Sequence, residues 1–504
     1  MHIYNVMFGG VPARPTGLAT SVLRRARALA NSGHSFEILV SEHSPNFEDS
    51  VQTLEEEGAL ADGRIKLRSM HYDLAGIEGA REEHPYSSPL GRAQNGWSYV
   101  QDPKRSDIWR GSQDGDYKHF VWMRDDKVAG IDTLRSGKRT KRTWYDSGGR
   151  ACKVERMTPE NKPHLIEYLD HSGNIYLQES KSPETGAITN IAMHTSKGIR
   201  NFSALSSLID YWFHEIVFKG VVGPTVISEY GFHRASLQEL EKRNAAAVIY
   251  TFHNNHHTAP YGVSAPLRPE QRDFFKHLKE YKALVLLTEE QRKDIVDEFG
   301  CSDILHVIPH HMPRIAIDRQ LERDPNRIVM VGRFDAIKGH AHVFKAFAHV
   351  VKCHPQATLS LFGRGPEESR LRDLAKSLGL SDSIHFRGFT ADAFSEFSRA
   401  AISVVASSYE GFCLSLAESM TAGCVPVSWN FRYGPNDLIT HERDGLLVEA
   451  GDISGLAESL ISLLQDPQRR QRMSAAAREI SDRLSEDQLI ESWNELMSAA
   501  HSRS

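Results

Sequence analysis

The residues best able to do chemistry in this chain lie in one stretch, Tyr409-Glu410-Gly411-Phe412-Cys413-Leu414-Ser415-Leu416-Ala417-Glu418. The apolar run ahead of it, Ala401-Ile402-Ser403-Val404-Val405-Ala406, reads as a buried strand. The pattern then passes through a glycine turn and opens a helix carrying Ala417, Glu418, Ser419 and Met420. Such a strand, turn and helix N-terminus make an anion site. The first N–H groups of a helix lack intrahelical partners, and its dipole favours negative charge. Two carboxylates bracket the site, Glu410 before the helix and Glu418 inside its first turns. Carboxylates beside a phosphate repel it, so these two are expected to hold hydroxyl groups, as on a sugar or a ribose. Strand-glycine-helix units are common in α/β folds, and taken alone this one is equally an ordinary element with solvated glutamates.

A second stretch supplies cations. Arg327-Ile328-Val329-Met330-Val331-Gly332 reads as a strand and runs into Arg333-Phe334-Asp335-Ala336-Ile337-Lys338-Gly339. Arg333 and Lys338 then stand in the loop at the carboxyl end of a strand, where open α/β sheets bind ligands. A guanidinium fork and an ammonium point charge together suit a diphosphate. Arg-x4-Lys followed by Glu-x7-Glu resembles the donor site of retaining glycosyltransferases with the GT-B fold, which use nucleotide-diphosphate sugars. The resemblance runs from Arg327 to about Ser485. It includes Leu361-Phe362-Gly363-Arg364-Gly365-Pro366-Glu367 and Ile384-His385-Phe386-Arg387-Gly388-Phe389-Thr390.

That resemblance implies roles by position. Arg333 and Lys338 offset the charge that develops on the leaving diphosphate. Glu410 and the amides of Gly411, Phe412 and Cys413 position the donor sugar. The amides of Leu414 and Ser415 hold a phosphate, Glu418 takes the ribose hydroxyls, and Phe389 meets the base. His253 follows the apolar strand Val248–Phe252 and matches a strand-end histidine that touches the donor sugar in the family. Gly17 starts the first helix, where a glycine permits close backbone approach to the donor diphosphate or the acceptor. His253, His256 and His257 within five positions also fit a metal cluster. No carboxylate or thiol lies near them in the sequence, and the family generally needs no metal, so none is expected. The only co-substrate implied is a nucleotide sugar, UDP-linked. No covalent nucleophile is evident, and the family's usual account is front-face substitution with retention of configuration.

The elements that must hold these residues follow from pattern and composition. A chain of 504 residues predicts about three domains. Hydrophobic content of 40% and charged content of 25% are those of a globular protein, and a net charge of −5 gives no sign of nucleic-acid binding. Five scattered cysteines without a C-x-x-C pair fit a reducing compartment. No apolar run reaches the roughly 18 residues that span a bilayer. The strand-like His2–Phe8 follows the initiator directly, so a cytoplasmic location, at the inner membrane face, is expected.

The expected architecture is α/β, a GT-B fold of two Rossmann-like domains with an antiparallel β meander inserted in the first. Residues 1–71 begin the first domain and residues 201–325 complete it with a linker. Residues 72–200 form the insertion, which alternates short apolar runs with Asp/Ser/Gly turns. Residues 326–485 are the nucleotide-sugar domain, and residues 486–504 are a closing amphipathic helix that, by resemblance, crosses back to the first domain. The polar segment Glu78–Arg110 has no period and reads as a flexible loop.

The insertion and the loop Arg432-Tyr433-Gly434-Pro435-Asn436-Asp437 resemble bacterial enzymes that α-glycosylate polyol-phosphate wall teichoic acids. They are also similar to catalytic subunits that add GlcNAc to serine-rich adhesins. The basic run Arg135–Arg142, through Arg139, Lys141 and Arg142, suits a repeating phosphate polymer and equally suits a solvated hairpin turn. His256 is a further acceptor-side candidate. A trimer formed through the insertion fits the resemblance. Three readings stand: a UDP-sugar-dependent transferase acting on a polyol-phosphate polymer, the same chemistry on a serine/threonine-rich protein, or a silent partner that only binds glycans. The intact set Arg333, Lys338, Glu410, Glu418 and His253 argues against the third.

Overall fold

The structure is a computed structural model, and it describes residues 1–7, 9–12, 17–76, 88, 90, 96–231, 233–315 and 322–502. It divides into two compact units, Met1–Val248 and the chain from Ile249 onward, with the cut inside the strand Ala247–Thr251.

In the first unit the strands Thr225–Glu229, His2–Met7, Ser35–Val40 and Ile65–Ser69 lie side by side, all parallel. The helix Leu18–Asn31 makes the crossover between the first two strands of the chain, and it buries Val22, Leu23, Ala26, Leu29 and Ala30 at helical spacing. Between this sheet and the helix Leu205–Trp212 the chain builds a ten-stranded antiparallel sheet, from Trp97–Asp102 to Gly198–Phe202. Each strand of the meander pairs with the next in sequence, as tight Asp/Ser/Gly turns dictate. The helix Met70–Ala75 anchors it, with His71 Nδ1 2.8 Å from the Tyr176 hydroxyl.

The reading of Glu78–Arg110 as a loop needs correction. Trp97–Asp102 and Arg105–Gln113 are strands of this sheet, and the part of the segment over 78–87, 89 and 91–95 lies outside the described residues. Trp97–Asp102 has no buried residue and Arg105–Gln113 has only Ile108 and Gly111, so little apolar alternation marks them in sequence.

The second unit holds the parallel strands Leu284–Leu286 and Leu305–Val307, and a six-stranded parallel sheet. Across that sheet the order is Ile384–Gly388, Thr358–Phe362, Asp324–Val331, Ala400–Val405, Val425–Asn430 and Leu446–Glu449. Numbered along the chain this is 3-2-1-4-5-6, the doubly wound order, with its topological switch point between Asp324–Val331 and Ala400–Val405. The helix His340–Cys353 covers one face with Val343, Phe344, Phe347 and Val350. The closing helix Glu486–Ser502 buries Leu489, Trp493, Leu496 and Met497, and the chain just ahead of it bonds to the 311–314 segment, Met312 N to Leu484 O at 2.7 Å. Among the described residues no helix is long and apolar enough to cross a membrane.

Candidate active site

The switch point brings the two chemistry-bearing stretches together. The strand Asp324–Val331 ends in the loop that holds Arg333 and Lys338, and its neighbour Ala400–Val405 ends in the loop that holds Glu410. Lys338 closes a short 3-10 turn, Ala336–Lys338, whose first amides are capped by Asp335, with Ile337 N to Asp335 Oδ1 at 3.2 Å. Gly339 follows at φ 72°, a conformation that favours glycine, and a Cβ there would collide with the Ala406 carbonyl. The loop is thereby seated on the end of the neighbouring strand.

Lys338 Nζ donates to Glu410 Oε1, and Ser407 Oγ donates to the same oxygen at 2.8 Å. No hydrogen bond from the described residues reaches the second carboxylate oxygen, Oε2. Burial pulls the Lys338 ammonium down. The charge of Glu410 and its hydrogen bond outweigh it, so Lys338 titrates above the ordinary lysine range. Arg333 is 75% exposed, and its guanidinium leans on Asp335 at 2.8 Å.

The backbone around Glu410 is clamped on both sides. Glu410 N donates to Arg432 O at 3.1 Å, and Tyr433 N donates to Glu410 O at 3.0 Å. Gly411 lies against the turn that carries His253, where any side chain would strike the His253 carbonyl oxygen. Gly434, at φ 121°, is packed in the same way on the Phe412 carbonyl. Phe412 and Cys413 are buried, and Cys413, at φ 71°, precedes the helix Leu414–Thr421. Leu416 N and Ala417 N both reach the Cys413 carbonyl, so the amides of Leu414 and Ser415 lie ahead of the helical ladder. Burial, then the nearby Glu410 charge, pushes the Cys413 thiol up to about 12, which keeps it protonated. Glu418 stands one turn further along the helix, half-buried.

His253 comes to the same place from a different strand end. Its Nε2 is 3.1 Å from Thr251 Oγ1, and its ring stacks on His310 at 5.7 Å, which in turn meets the Phe412 ring edge-on at 5.2 Å. Phe389 follows Gly388 and is 45% exposed, next to the Gly363 turn through Gly363 N to Gly388 O at 2.8 Å. Gly17 stands in the first unit, exposed at φ 55° as the cap of the helix Leu18–Asn31, with nothing close to the position of a Cβ. Residues 13–16 ahead of it lie outside the described residues.

Sequence reasoning missed several neighbours. Asn255, fully buried, donates to Tyr261 O at 3.0 Å and Arg432 O at 3.3 Å, and accepts from His257 N. Its one signal in the sequence is its place between His253 and His256. His256 has no exposed surface for an acceptor: its ring packs against Phe275, His257 and Tyr433. Burial and the nearby His257 lower it to about 3.

The histidines do have a carboxylate neighbour, contrary to what their sequence surroundings gave. The helix Glu289–Phe299 brings Glu298 Oε2 to 2.9 Å from His257 Nε2 and 3.7 Å from His256 Nε2. Gln291 Nε2, fixed by the Asn254 carbonyl at 2.8 Å, faces His256 Nδ1 at 3.4 Å. Donation along that contact requires the His256 proton to sit on Nε2, the atom that faces Glu298.

The basic run of the first unit behaves differently from expectation. Arg142 makes a two-bonded fork on the buried Asp132, at 2.7 and 3.0 Å, and Arg139 adds a third contact at 2.6 Å. The Arg142 guanidinium also lies over the rings of Trp122 and Trp144. Of the named acceptor candidates in the run, Lys141 alone has no ion pair within the described residues.

Comparison with known proteins agrees with this geometry. Residues 313–480 match the family model "Glycosyl transferases group 1". The chain is 24% identical over 362 residues to the poly(glycerol-phosphate) α-glucosyltransferase of Bacillus subtilis, which aligns with 70% of this chain and 53% of the relative. The chain thus spans about half the length of that curated relative. The crystal structure of an S. aureus TarM variant with fondaparinux, α-GlcNAc-glycerol and UDP superposes with a TM-score of 0.84 at 18% identity, covering 98% of this chain and 99% of TarM. The pneumococcal O-GlcNAc transferase GtfA, with UDP and GlcNAc, superposes at 0.81 and 16% identity, covering 99% of both chains. Residues 313–480 are a group 1 glycosyltransferase domain, and the chain has the GT-B glycosyltransferase fold with a β-rich insertion.

Proposed function

We propose that this chain is a retaining glycosyltransferase that moves a hexose or N-acetylhexosamine from a UDP-sugar to hydroxyls of a polyol-phosphate polymer. The observation that carries the reading is the Lys338–Glu410 pair at the switch point of a doubly wound sheet, with one glutamate oxygen left for a ligand. The kinship with a poly(glycerol-phosphate) transferase and with TarM, crystallised with UDP and a GlcNAc-glycerol, supports the donor and acceptor classes.

In this reading Lys338 and Arg333 take the negative charge that grows on the diphosphate as its bond to the sugar C1 breaks. The raised pKa keeps Lys338 cationic at neutral pH. The amides of Leu414 and Ser415 hold a phosphate, and Glu418 receives the ribose hydroxyls. Glu410 Oε2 and His253 bind sugar hydroxyls, with the amides of Gly411, Phe412 and Cys413 lining the sugar. Phe389 covers the base, and Gly17 admits a phosphate or the acceptor close to backbone. The acceptor oxygen bonds to C1 on the face the diphosphate leaves, and its proton passes to the departing phosphate oxygen. Cys413, held as a thiol, and Glu410, tied to Lys338, are poorly suited to act as covalent nucleophiles, which favours this route. No metal or prosthetic group is invoked, and the insertion is the surface through which a trimer would form.

UDP release from UDP-glucose and UDP-GlcNAc, measured with poly(glycerol phosphate), poly(ribitol phosphate) or a serine-rich polypeptide, tests the reading. Release is expected with a polyol-phosphate polymer, and Glu410→Ala should lower it by about 10²–10³-fold. Release with the polypeptide alone would move the acceptor to protein. No release with any pair, or full release from the Glu410→Ala variant, would overturn the assignment.

A further inference from the structure

The side chains of the two residues whose backbone clamps Glu410 belong to no role assigned above. The clamp is the Arg432–Tyr433 step, whose carbonyl and amide bond the amide and carbonyl of Glu410. Both side chains of that step end on one carboxylate, Asp294, in the middle of the helix Glu289–Phe299. The Tyr433 hydroxyl donates to Asp294 Oδ2 at 2.8 Å, and Arg432 Nη1 lies 2.8 Å from the same oxygen. Glu290, one turn earlier, adds a second contact to Arg432 at 3.2 Å and accepts from Asn436 at 2.9 Å. Asp437 Oδ1 accepts from the amide of Glu289 at 2.6 Å, fastening the far end of the loop to the start of that helix.

Tyr433 and Asp294 are buried, so neither serves as a solvated surface charge. Burying a carboxylate is costly unless it is paired, and among the described residues the hydrogen-bonding and ionic partners of this one are the two residues of the clamp. Loss of Asp294 would leave Arg432 with Glu290 alone and the Tyr433 hydroxyl without its acceptor. The peptide between them would then be free to shift, and Glu410 with it.

We infer that Asp294 is a positioning residue for Glu410, acting through Arg432 and Tyr433 to hold the glutamate against Lys338. The inference rests on the transferase reading, with Glu410 as a ligand of the donor sugar. A misplacement of about 1 Å at a reacting group costs on the order of 100-fold in rate.

The test is a double-mutant cycle on the full chain, read as UDP release, with thermal unfolding and UDP binding measured for every variant. Asp294→Ala should lower kcat by about tenfold to 100-fold while UDP still binds. Asp294→Asn, which keeps an acceptor for Tyr433, should recover most of the loss, and Tyr433→Phe should lie between. In a Glu410→Ala background, Asp294→Ala should change kcat less than about twofold, because the residue it serves is gone. Additive losses in the two backgrounds would overturn the inference, as would a loss that follows unfolding temperature alone. If the unaltered chain releases no UDP with any acceptor, the transferase reading fails instead. Protection of the Glu410 amide from hydrogen exchange then decides the positioning separately: it should fall in Asp294→Ala, and unchanged protection would overturn the inference.

Discussion

Two cation–carboxylate groupings, one in each compact unit, look alike in sequence and differ in what they leave unspent. In the first unit Asp132 gives both oxygens to guanidinium groups, Oδ1 and Oδ2 to Arg142 and Oδ2 again to Arg139. Aromatic rings cover the Arg142 guanidinium. In the second unit Lys338 and Ser407 share Oε1 of Glu410 and leave Oε2, while Arg333 keeps most of its surface. A saturated pair stabilises a sheet, whereas a pair with a spare acceptor beside a largely exposed guanidinium can receive a ligand. The number of uncommitted hydrogen-bonding positions separates the two, and net charge does not.

The sharpest way to break the comparison is to add one methyl group in each region. At Gly411 a Cβ meets the backbone oxygen of His253, which cannot move without moving the strand end that carries the histidine. Gly411→Ala should therefore cost at least about 100-fold in UDP release, with a clear loss of unfolding temperature. At Gly130 a Cβ meets the Trp122 ring, a side chain that can tilt. Gly130→Ala should cost about 1–3 kcal/mol of stability, as an overpacked site does, and keep donor turnover. Equal losses of turnover from both would erase the distinction drawn between the regions.

A second test removes the saturated carboxylate itself. Asp132→Ala leaves two arginines, each about one quarter exposed, without their counter-ion. Breaking a fully buried pair costs ~3–5 kcal/mol, and partial exposure of the arginines reduces this to about 2 kcal/mol. Denaturant unfolding should show that loss. UDP release in the absence of polymer should stay within twofold of the unaltered chain, whereas Glu410→Ala should do the reverse, losing turnover with little change in stability.

The same contrast explains what was legible in the sequence. The end of the strand Asp324–Val331, through Ile328, Val329 and Met330, and the whole of Ala400–Val405 are buried and read as apolar runs, so the loops that follow them could be placed. The loop glycines Gly339 and Gly411 sit where backbone packs on backbone, and they mark the turns by residue type alone. The saturation of Asp132 could not be read, because it depends on register: Asp132 faces Arg142 across a hairpin, and a shift of one residue would part them. Nor could the Glu298 neighbour of His257, 41 positions away, or the Asp294 neighbour of Tyr433, 139 positions away. The strands Trp97–Asp102 and Arg105–Gln113 were hidden for a third reason: between them only Ile108 and Gly111 are buried, too few to mark a core-facing side in sequence.

The smallest effect concerns Lys141, the acceptor candidate of the basic run that makes no ion pair among the described residues. Lys141 lies between Arg139 and Arg142 on the strand Lys138–Tyr145, yet Asp132 takes its neighbours and not Lys141. The register shifts between Thr133 and Leu134 where Arg139 and Arg142 both reach Asp132, while Lys141, paired across the hairpin with Thr133, makes no ion pair among the described residues. If the insertion meets a phosphate polymer, the contact falls to Lys141 rather than to the arginines. Lys141→Ala should raise the polymer KM about threefold, as loss of one exposed charge contact worth 0.5–1 kcal/mol does. Added salt should shrink the difference, since exposed charges are screened within about 10 Å at 0.1 M. Arg139→Ala should change the KM less and stability more. The reverse ranking would mean that the pairing on Asp132 opens when polymer binds, and that the saturated grouping is not purely structural.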